Sequence, residues 1–482
     1  MNHRAVIRSL GIVMLCEGAF MVPSLVVALF YRDGDAPAFL ITIAVLMLGA
    51  LLVPIKPPKS GLYARDGLAI VALGWLVMSV FGALPFMLSG SIPRFVDALF
   101  ESVSGFTTTG ASILTRIEGL PRGILFWRSF THWIGGMGVL LLTLAILPMA
   151  GAGAVHILRA ESPGPAPGKL VPKLAQTAKI LYILYVSLTL AQVIALLLAG
   201  MSFYDALIHA FGTAGTGGFS NRNASVGAYN SLAIDLIIAV FMLIFGISFT
   251  LHYQLIRRNW KSFWRDEELR FYLAVVALSV AVITWDVLRH QLLTPGAALR
   301  QSFFQVSSII TTTGFATADF NAWPALSKTI LLALMLVGAS AGSTGGGIKC
   351  IRILMMLKLI RREMTRMKHP QIVQSIRIGG RKVDSETLHS VVLFILFYLT
   401  ILAVAVFLVA ADVQDLVTGF SAVLACIGNI GPGLGMVGPT GNYAAFSDFS
   451  KTVLSLCMLL GRLEIMPVAV LALPSFWRRV SI

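Results

Sequence analysis

The chain has 482 residues, of which 57% are hydrophobic and only 12% are charged, and its mean hydropathy is +0.84. Soluble domains carry roughly 25% charged residues, so this composition excludes an ordinary soluble protein and indicates an integral membrane protein. The formal net charge of +15 would suggest a nucleic-acid partner in a soluble chain, but here membrane topology accounts for it and no nucleic-acid partner is expected.

Ten apolar segments come close to the length of about 20 residues that a helix needs to cross a bilayer. The first two segments are 7–30 and 38–54. The other eight form four pairs, and a shorter amphipathic segment lies between the members of each pair. In chain order the pairs are 66–88 and 126–149, 177–199 and 232–256, 270–289 and 327–360, and 388–410 and 450–474. The short segments are 94–106, 203–212, 297–310 and 413–426.

This order of parts recurs about every 100 residues, which predicts internal repeats. The predicted fold is an all-α polytopic membrane protein. Four helix–pore helix–filter loop–helix repeats surround a central pore, and two N-terminal transmembrane helices precede them. The predicted units are an N-terminal extension (1–60) and repeats one to four (61–155, 156–262, 263–370 and 371–482).

The distribution of basic residues predicts the orientation. With the N-terminus placed in the cytoplasm, the predicted inner segments hold most of the 37 lysines and arginines, as the positive-inside rule requires. Ten crossings then place the C-terminus inside as well. All four Thr/Gly loops fall on the outer half, where acidic residues are in slight excess. Such a mouth would concentrate cations.

Each short segment leads into a loop rich in threonine and glycine. The loops are Thr107, Thr108, Thr109 and Gly110; Gly215, Thr216, Gly217 and Gly218; Thr311, Thr312, Thr313 and Gly314; and Gly428, Asn429, Ile430 and Gly431. Four such loops around one axis can offer rings of backbone carbonyls that replace the hydration shell of a potassium ion. The alternative is that these runs are helix kinks or close-packing points, although that does not explain why four occur at matching positions.

The loops are not identical. In the fourth, Gly428, Asn429 and Ile430 replace the three threonines found in the first and third, and the second has Gly215 and Gly217. A carbonyl ring survives these changes but a ring of hydroxyls does not. We therefore expect weaker selectivity than in a fourfold-symmetric filter.

The second helix of repeat three is interrupted by a run of glycines between Gly338 and Gly347. Glycine costs about 1 kcal/mol per residue in a helix, so this run is not expected to stay helical. A broken helix at membrane depth should line the water path, which predicts a gate below the filter. The alternative is a packing crossover between helices. The candidate gate residues are Gly342, Ser343, Thr344, Gly345, Gly346, Gly347 and Lys349, together with Arg462.

Arg462 is predicted to lie in the middle of the last apolar helix, where a charge is expensive. One interpretation is a pore-facing arginine that raises a barrier to cations and anchors the gate. The other is a structural ion pair with a carboxylate of a neighbouring helix. Glu464, two residues further on, should point elsewhere.

Two further classes of function compete with a gated pore. A carrier built from inverted repeats would need repeats of opposite topology, whereas these four enter from the same side. A membrane enzyme would need a nucleophile–base pair or metal ligands, and the sequence offers neither. His132, His209 and His252 lack ligand spacing and are read as packed or hydrogen-bonded residues, so no catalytic residue is assigned.

These motifs resemble the Trk/Ktr/HKT superfamily of potassium transporters. The four loops look like its filter segments. The extra helix pair, the run 341–349 and the segment 461–465 are similar to the bacterial TrkH branch.

The resemblance implies potassium uptake across the bacterial inner membrane by a homodimer. It also implies a cytoplasmic TrkA-type ring beneath the homodimer that binds the regulatory nucleotide, so that no nucleotide or covalent cofactor is expected on this chain. Potassium at the filter is the only metal expected, and membrane lipids are expected as partners. The basic run 361–368 is interpreted as a solvated inner face, with binding of anionic lipid or of a partner ring as the alternative. Coupling to protons or sodium, as in a symporter, remains open.

Overall fold

The computed structural model describes residues 2–53, 64–138, 174–371 and 374–465, and these residues are mainly helical. The chain opens with helices α1 (His3–Tyr31) and α2 (Ala36–Leu51), close to the predicted 7–30 and 38–54. The side chain of Asn2 accepts a hydrogen bond from the backbone N–H of Ala5 and caps α1. Helix α1 packs against α2 and against two helices of the first repeat.

The four repeats follow in the predicted order. Repeat one contains α3 (Ala64–Gly82), α4 (Leu84–Leu88), α5 (Phe95–Phe106) and α6 (Arg122–Gly136). Repeat two contains α7 (Leu174–Leu198), α8 (Phe203–Ala214), α9 (Leu232–Phe245) and α10 (Phe249–Ile256), and α11 (Trp260–Arg265) links it to repeat three. Repeat three contains α12 (Glu267–Arg289), α13 (Pro295–Ile310), α14 (Ala325–Val337) and α15 (Cys350–Lys368). Repeat four contains α16 (Ser385–Val409), α17 (Leu416–Ile427) and α18 (Asp448–Arg462).

A two-stranded antiparallel hairpin, β1 (Arg377–Ile378) and β2 (Arg381–Lys382), precedes repeat four. Its turn is Gly379-Gly380, and both glycines have positive φ, as a two-residue hairpin turn favours. The predicted helical stretches beyond residues 138 and 465 lie outside the described residues. The exact limits of the repeats remain a prediction.

The repeats close into a ring. The short helix of each repeat packs against a helix that follows the loop of the preceding repeat. Thus α8 contacts α6, α13 contacts α9, α17 contacts α14, and α5 of repeat one contacts α18 of repeat four. The short helices and their loops are therefore enclosed by the longer helices.

The long helices are apolar on the outside. In the described residues, five helical stretches are long and apolar enough to cross a membrane, or six if the bent pair α9–α10 is one span. Leu52, Leu198 and Phe407 are 88%, 84% and 81% exposed, which suits a lipid environment. Helices α2 and α14 are shorter, and the predicted spans that contain α6 and α18 continue outside the described residues, so the ten predicted crossings are not all observed.

The prediction of one straight helix over 232–256 is wrong. Helices α9 and α10 meet at 97°, with the bend at Gly246, Ile247 and Ser248. Two backbone groups at the bend find partners in the interrupted helix of repeat three. Ser340 N donates to Gly246 O at 3.1 Å, and Phe249 N donates to Gly342 O at 3.0 Å. The bend is thus stabilised by a segment distant in sequence, which local periodicity cannot reveal.

Candidate functional site: four loops and the segment beneath them

The four Thr/Gly loops share one backbone conformation. Each short helix ends, and the second residue of the loop then adopts left-handed φ. These residues are Thr108 (54°), Thr216 (55°), Thr312 (58°) and Asn429 (53°). A β-branched residue is strained in this region, so three of the four loops hold a conformation that their sequence disfavours. The last loop residues, Gly110, Gly218, Gly314 and Gly431, have φ of 80°, 75°, 82° and 93°.

Each loop is fastened to its own short helix by the same hydrogen bond. The residue before the final glycine donates its N–H to a carbonyl in the last turn of that helix. The donors and acceptors are Thr109 and Ser104 (2.8 Å), Gly217 and Gly212 (2.8 Å), Thr313 and Ser308 (2.9 Å), and Ile430 and Ala425 (2.8 Å). The loops therefore have one geometry despite their different sequences.

The final glycines bring the four loops together. A Cβ added to any of them would approach a carbonyl oxygen of the next loop more closely than the 3.0 Å that real side chains require. Gly110 faces Gly217 O, Gly218 faces Thr313 O, Gly314 faces Ile430 O, and Gly431 faces Thr109 O. These contacts run once around the molecule and return to the first loop. They define a closed ring of glycines and carbonyls that leaves no room for a side chain.

A cavity of ≈ 300 Å³ opens on one side of the ring and is lined by all four of these glycines. Ser112, Ser220 and Asn442 add polar groups to its wall. The ring thus closes the floor of a polar cavity, whose charged lining residues are Arg128 and Arg222 rather than the acidic residues expected at the mouth. The C-terminal ends of α5, α8, α13 and α17 lead into the loops, and these helix ends carry partial negative charge.

Four threonine hydroxyls of loops one and three are paired within their own loops, whereas Thr108 Oγ1 is buried without a hydrogen-bond partner among the described residues. Thr107 Oγ1 donates to Val103 O at 2.7 Å and lies 2.8 Å from Thr109 Oγ1. In loop three, Thr311 Oγ1 donates to Ser307 O at 2.6 Å and lies 2.8 Å from Thr313 Oγ1. These hydroxyls brace the loops, so the backbone carbonyls are the better candidates for ion ligands.

The central loop positions differ most. The Asn429 amide donates to Thr109 Oγ1 at 3.0 Å and to Met458 O at 2.9 Å, which joins loops four and one. Thr216 Oγ1 donates to Gly215 O at 2.6 Å, within its own loop. Thr312 Oγ1 instead accepts from Gly346 N at 2.6 Å, which joins loop three to the predicted gate.

Residues 338–349 form an irregular segment between α14 and α15, as predicted; we call it the intervening segment. It lies directly against the loops. A Cβ on Gly345 would lie 3.0 Å from Thr311 O, and one on Gly346 would clash with Gly428 O. The sequence placed the gate below a separate filter, but the structure brings the two into hydrogen-bond contact.

Bonds within the intervening segment and bonds to a residue distant in sequence hold it in place. Ser343 Oγ donates to Ser340 O at 2.6 Å within the segment, and the Lys349 ammonium, 2% exposed, donates to Gly345 O. Glu268 Oε1, on α12, accepts from Ala341 N at 2.7 Å and from Ile351 N at 3.1 Å. Glu268 was not among the residues predicted from the sequence. The only available signal was a pair of acidic residues at the start of an apolar helix.

Arg462 lies at the end of α18, so its predicted position in mid-helix is wrong. The helix stops there because Glu464 and Ile465 both adopt left-handed φ. Arg462 donates to Thr344 O of the intervening segment at 2.9 Å and to Gly135 O of α6. The predicted contact with the intervening segment is therefore present.

Glu464 has its own partner on α15. It forms an ion pair with Arg352 of α15, whose guanidinium carbon also lies 3.9 Å from the centre of the Phe394 ring.

Comparisons with known proteins agree on one family. The TrkH family model, described as a cation transport protein, matches residues 36–479. The Trk system potassium uptake protein TrkH of Salmonella typhimurium is 42% identical, over 99% of this chain and 100% of that protein. The Escherichia coli K12 protein of the same name is 41% identical with the same coverage. The crystal structure of the potassium transporter TrkH from Vibrio parahaemolyticus superposes with a TM-score of 0.90 at 38% identity, covering 99% of this chain and 100% of that one.

Proposed function

The chain belongs to the TrkH family of cation transport proteins, and we propose that it takes up potassium across the bacterial inner membrane through the ring formed by its four loops. The observation that carries this proposal is the closed sequence of contacts between each final glycine and a carbonyl of the next loop. The names of its relatives, which are potassium uptake proteins, supply the ion.

The chemistry of the ring suits a partly dehydrated monovalent cation. Non-helical backbone is tolerated at membrane depth only where it is buried in protein or lines a water-filled cavity. Carbonyl oxygens can take the place of the ion's hydration shell. Glycine is required because a Cβ would strike the next loop and because φ is positive. The proposed ligands are the backbone carbonyls of the sixteen loop residues identified from the sequence.

The intervening segment is the proposed gate. It touches loops three and four through Gly345 and Gly346, and Arg462 holds Thr344 from the other side. A segment with several glycines, part of whose bonds come from residues distant in sequence, can rearrange when those residues move. Arg462 also contributes a fixed positive charge beside the path, which opposes passage of a cation.

The proposal includes partners. The relatives are named as parts of a Trk system, which supports association with other subunits. We expect a homodimer whose inner face contacts a nucleotide-binding ring, with both termini in the cytoplasm. The basic stretch near the end of α15, which includes Arg361, Arg362 and Arg366, offers that face a positive surface.

Ion flux into proteoliposomes tests the proposal. Purified protein is reconstituted, and potassium or sodium entry is measured with and without a proton gradient. Potassium entry that exceeds sodium entry and persists without the proton gradient is expected. Entry no greater than in protein-free vesicles would overturn the proposal, and entry that requires the gradient would replace a pore with a symporter.

A further inference from the structure

Each short helix carries a polar side chain that reaches the chain just beyond its own loop. In repeats one to three this residue lies nine positions before the final glycine, as Glu101, His209 and Gln305; in repeat four Ala422 has that position and Ser421 takes the role. We call these four side chains the ties. They have equivalent positions in the repeats but differ in chemistry. They range from a carboxylate through an imidazole and an amide to a hydroxyl.

The ties of repeats two to four are neutral. His209 Nε2 lies 3.0 Å from Ser220 Oγ, while its Nδ1 lies 2.8 Å from Asp205 O. Gln305, with its amide oriented to satisfy both of its groups, accepts from Thr317 N at 2.9 Å. Ser421 Oγ accepts from Leu434 N at 2.8 Å. The bonds to Ser220, Thr317 and Leu434 each connect a short helix with the chain just beyond the loop of its own repeat.

The tie of repeat one is charged, and it bonds both to the chain beyond loop one and to a side chain of α6. Glu101 is fully buried and accepts from Ser112 Oγ and from Ile113 N, both at 2.9 Å. Its Oε1 also accepts from Arg128 Nε at 2.6 Å. Loop one is thus tied to α5 and, through the ion pair, to α6.

Arg128 carries the connection into repeat two. Its NH1 donates to Ser220 O at 3.0 Å, and its guanidinium carbon lies 3.5 Å from the centre of the Phe219 ring. The side chain is 2% exposed and borders the cavity above the ring. A buried ion pair is weak evidence for stability, because apolar residues of the same volume often replace one without loss. The value of this pair therefore lies in the geometry that it fixes.

We propose that Glu101 and Arg128 are positioning residues that set the spacing between loops one and two and thereby the preference of the ring for potassium over sodium. The inference rests on the proposed function and deepens it. The guanidinium has separate nitrogens for Glu101 and for Ser220 O, so one rigid group fixes both loops at once. The neutral ties of the other repeats hold one loop each.

Arg128→Lys tests the proposal, because lysine keeps the positive charge but has one nitrogen in place of the fork. The measurement is the potassium-to-sodium permeability ratio of the full chain in proteoliposomes. We expect the ratio to fall about tenfold, equivalent to about 1.4 kcal/mol of discrimination. Arg300→Lys is the matched control, since Arg300 pairs with Asp235 at 2.7 Å away from the loops. Its ratio should equal that of the wild type.

Two results would overturn the proposal. One is a folded Arg128→Lys protein with the wild-type ratio. The other is equal loss of potassium and sodium flux at constant ratio, which would mean that the pair only adjusts the charge of the cavity. If Arg128→Lys does not fold, Ser112→Ala removes one bond of Glu101 without stranding a charge. It should lower the ratio about threefold, on the scale of one hydrogen bond, and an unchanged ratio would count against the proposal.

Hydrogen exchange separates this inference from the proposed function. The amide of Ile113 donates to Glu101, so it should exchange faster in Arg128→Lys than in Arg300→Lys. If the Ile113 amide exchanges faster in Arg128→Lys but the protein conducts no potassium, the role of Glu101 and Arg128 in positioning the loop stands and the transport proposal is refuted. If exchange is unchanged and the protein conducts potassium, the transport proposal stands and the positioning role is refuted.

Discussion

The four loops and the intervening segment are both irregular backbone rich in glycine, yet they are held in different ways. Each loop is fastened by a hydrogen bond that it donates to its own preceding helix, and that bond recurs four times at 2.8–2.9 Å. The intervening segment also has local bonds, from Ile348 N and Lys349 N to carbonyls of α14. In addition it is held by Glu268, Arg462 and Thr312, which are distant in sequence. Local bonds favour a conformation that persists, whereas distant ones can be exchanged when helices shift. This difference supports our proposal of a fixed filter and a movable gate.

Gly110→Ser should have the largest effect, because it attacks the fixed part. The new Cβ would strike Gly217 O, and φ at this position is +80°. We expect the potassium-to-sodium permeability ratio to collapse, with potassium flux reduced at least tenfold. The measurement is flux of each ion in proteoliposomes at matched protein content.

Gly90→Ser provides the control for Gly110→Ser. Gly90 also has positive φ (73°), but a Cβ there would meet nothing within 4 Å. It introduces similar backbone strain without a clash. Equal loss of selectivity in the two variants would mean that strain, rather than the closed ring, explains the result.

Arg462→Gln should have the next largest effect and acts on the movable part. Glutamine keeps hydrogen-bond donors near Thr344 O but removes the charge. A unit charge repels a monovalent cation by about 1–4 kcal/mol at 4 Å for effective dielectrics between water and a protein surface. Since about 1.4 kcal/mol gives tenfold in rate, we expect potassium flux to rise up to about tenfold with little change in selectivity.

Lys358→Gln is the control for Arg462→Gln. This substitution also removes a positive charge, from an ion pair with Glu267, but Lys358 lies on α15 beyond the intervening segment. Its flux should remain at the wild-type level. Aggregation of Arg462→Gln, with normal flux in any folded fraction, would mean that Arg462 only holds helices together.

The sequence predicted those features that depend on local pattern and repetition. The short helices were predicted at 94–106, 203–212, 297–310 and 413–426 and are found at 95–106, 203–214, 295–310 and 416–427. A break after residue 337 followed from the glycine content alone. Both kinds of feature leave a signal in the local sequence, as apolar periodicity in the helices and as glycine content at the break.

Features that depend on distant partners were missed. The 97° bend after α9 is stabilised by Ser340 and Gly342, nearly 100 residues away. α18 ends at Arg462, where Glu464 and Ile465 adopt left-handed φ. Neither residue is a glycine, so their types do not predict the end of the helix. The Glu101–Arg128 pair was also missed, because nothing in the sequence shows that these two side chains meet.

Thr312→Val should have a smaller effect, at the one hydrogen bond that joins the fixed and movable parts. Valine keeps the shape of threonine but cannot accept from Gly346 N. A net hydrogen bond is worth roughly 1 kcal/mol, so we expect potassium flux to rise about fivefold. Thr216→Val is the matched control, since Thr216 has the same φ and its hydroxyl bonds within its own loop. A similar rise in both variants would mean that the contact with the intervening segment is unimportant.

Asp415→Ala should have the smallest effect, and on stability rather than on transport. Asp415 caps α17, the short helix that leads into loop four, and accepts from Val417 N at 3.2 Å and Thr418 N at 3.0 Å. These backbone bonds, with the hydroxyl of Thr418, lower the pKa of the Asp415 carboxyl. A lowered pKa means that the contribution to stability is present above the ordinary aspartate pKa and is lost as the pH falls through the folded value. The melting temperature of Asp415→Ala should therefore be slightly below that of the wild type at pH 7, and the difference should shrink on acidification.

Asp415→Asn separates charge from capping, because asparagine still accepts from the helix but does not ionise. It should keep most of the stability at pH 7 and lose the pH dependence. A difference between Asp415→Ala and wild type that stays constant down to pH 3 would show that the ionised carboxylate does not stabilise this helix.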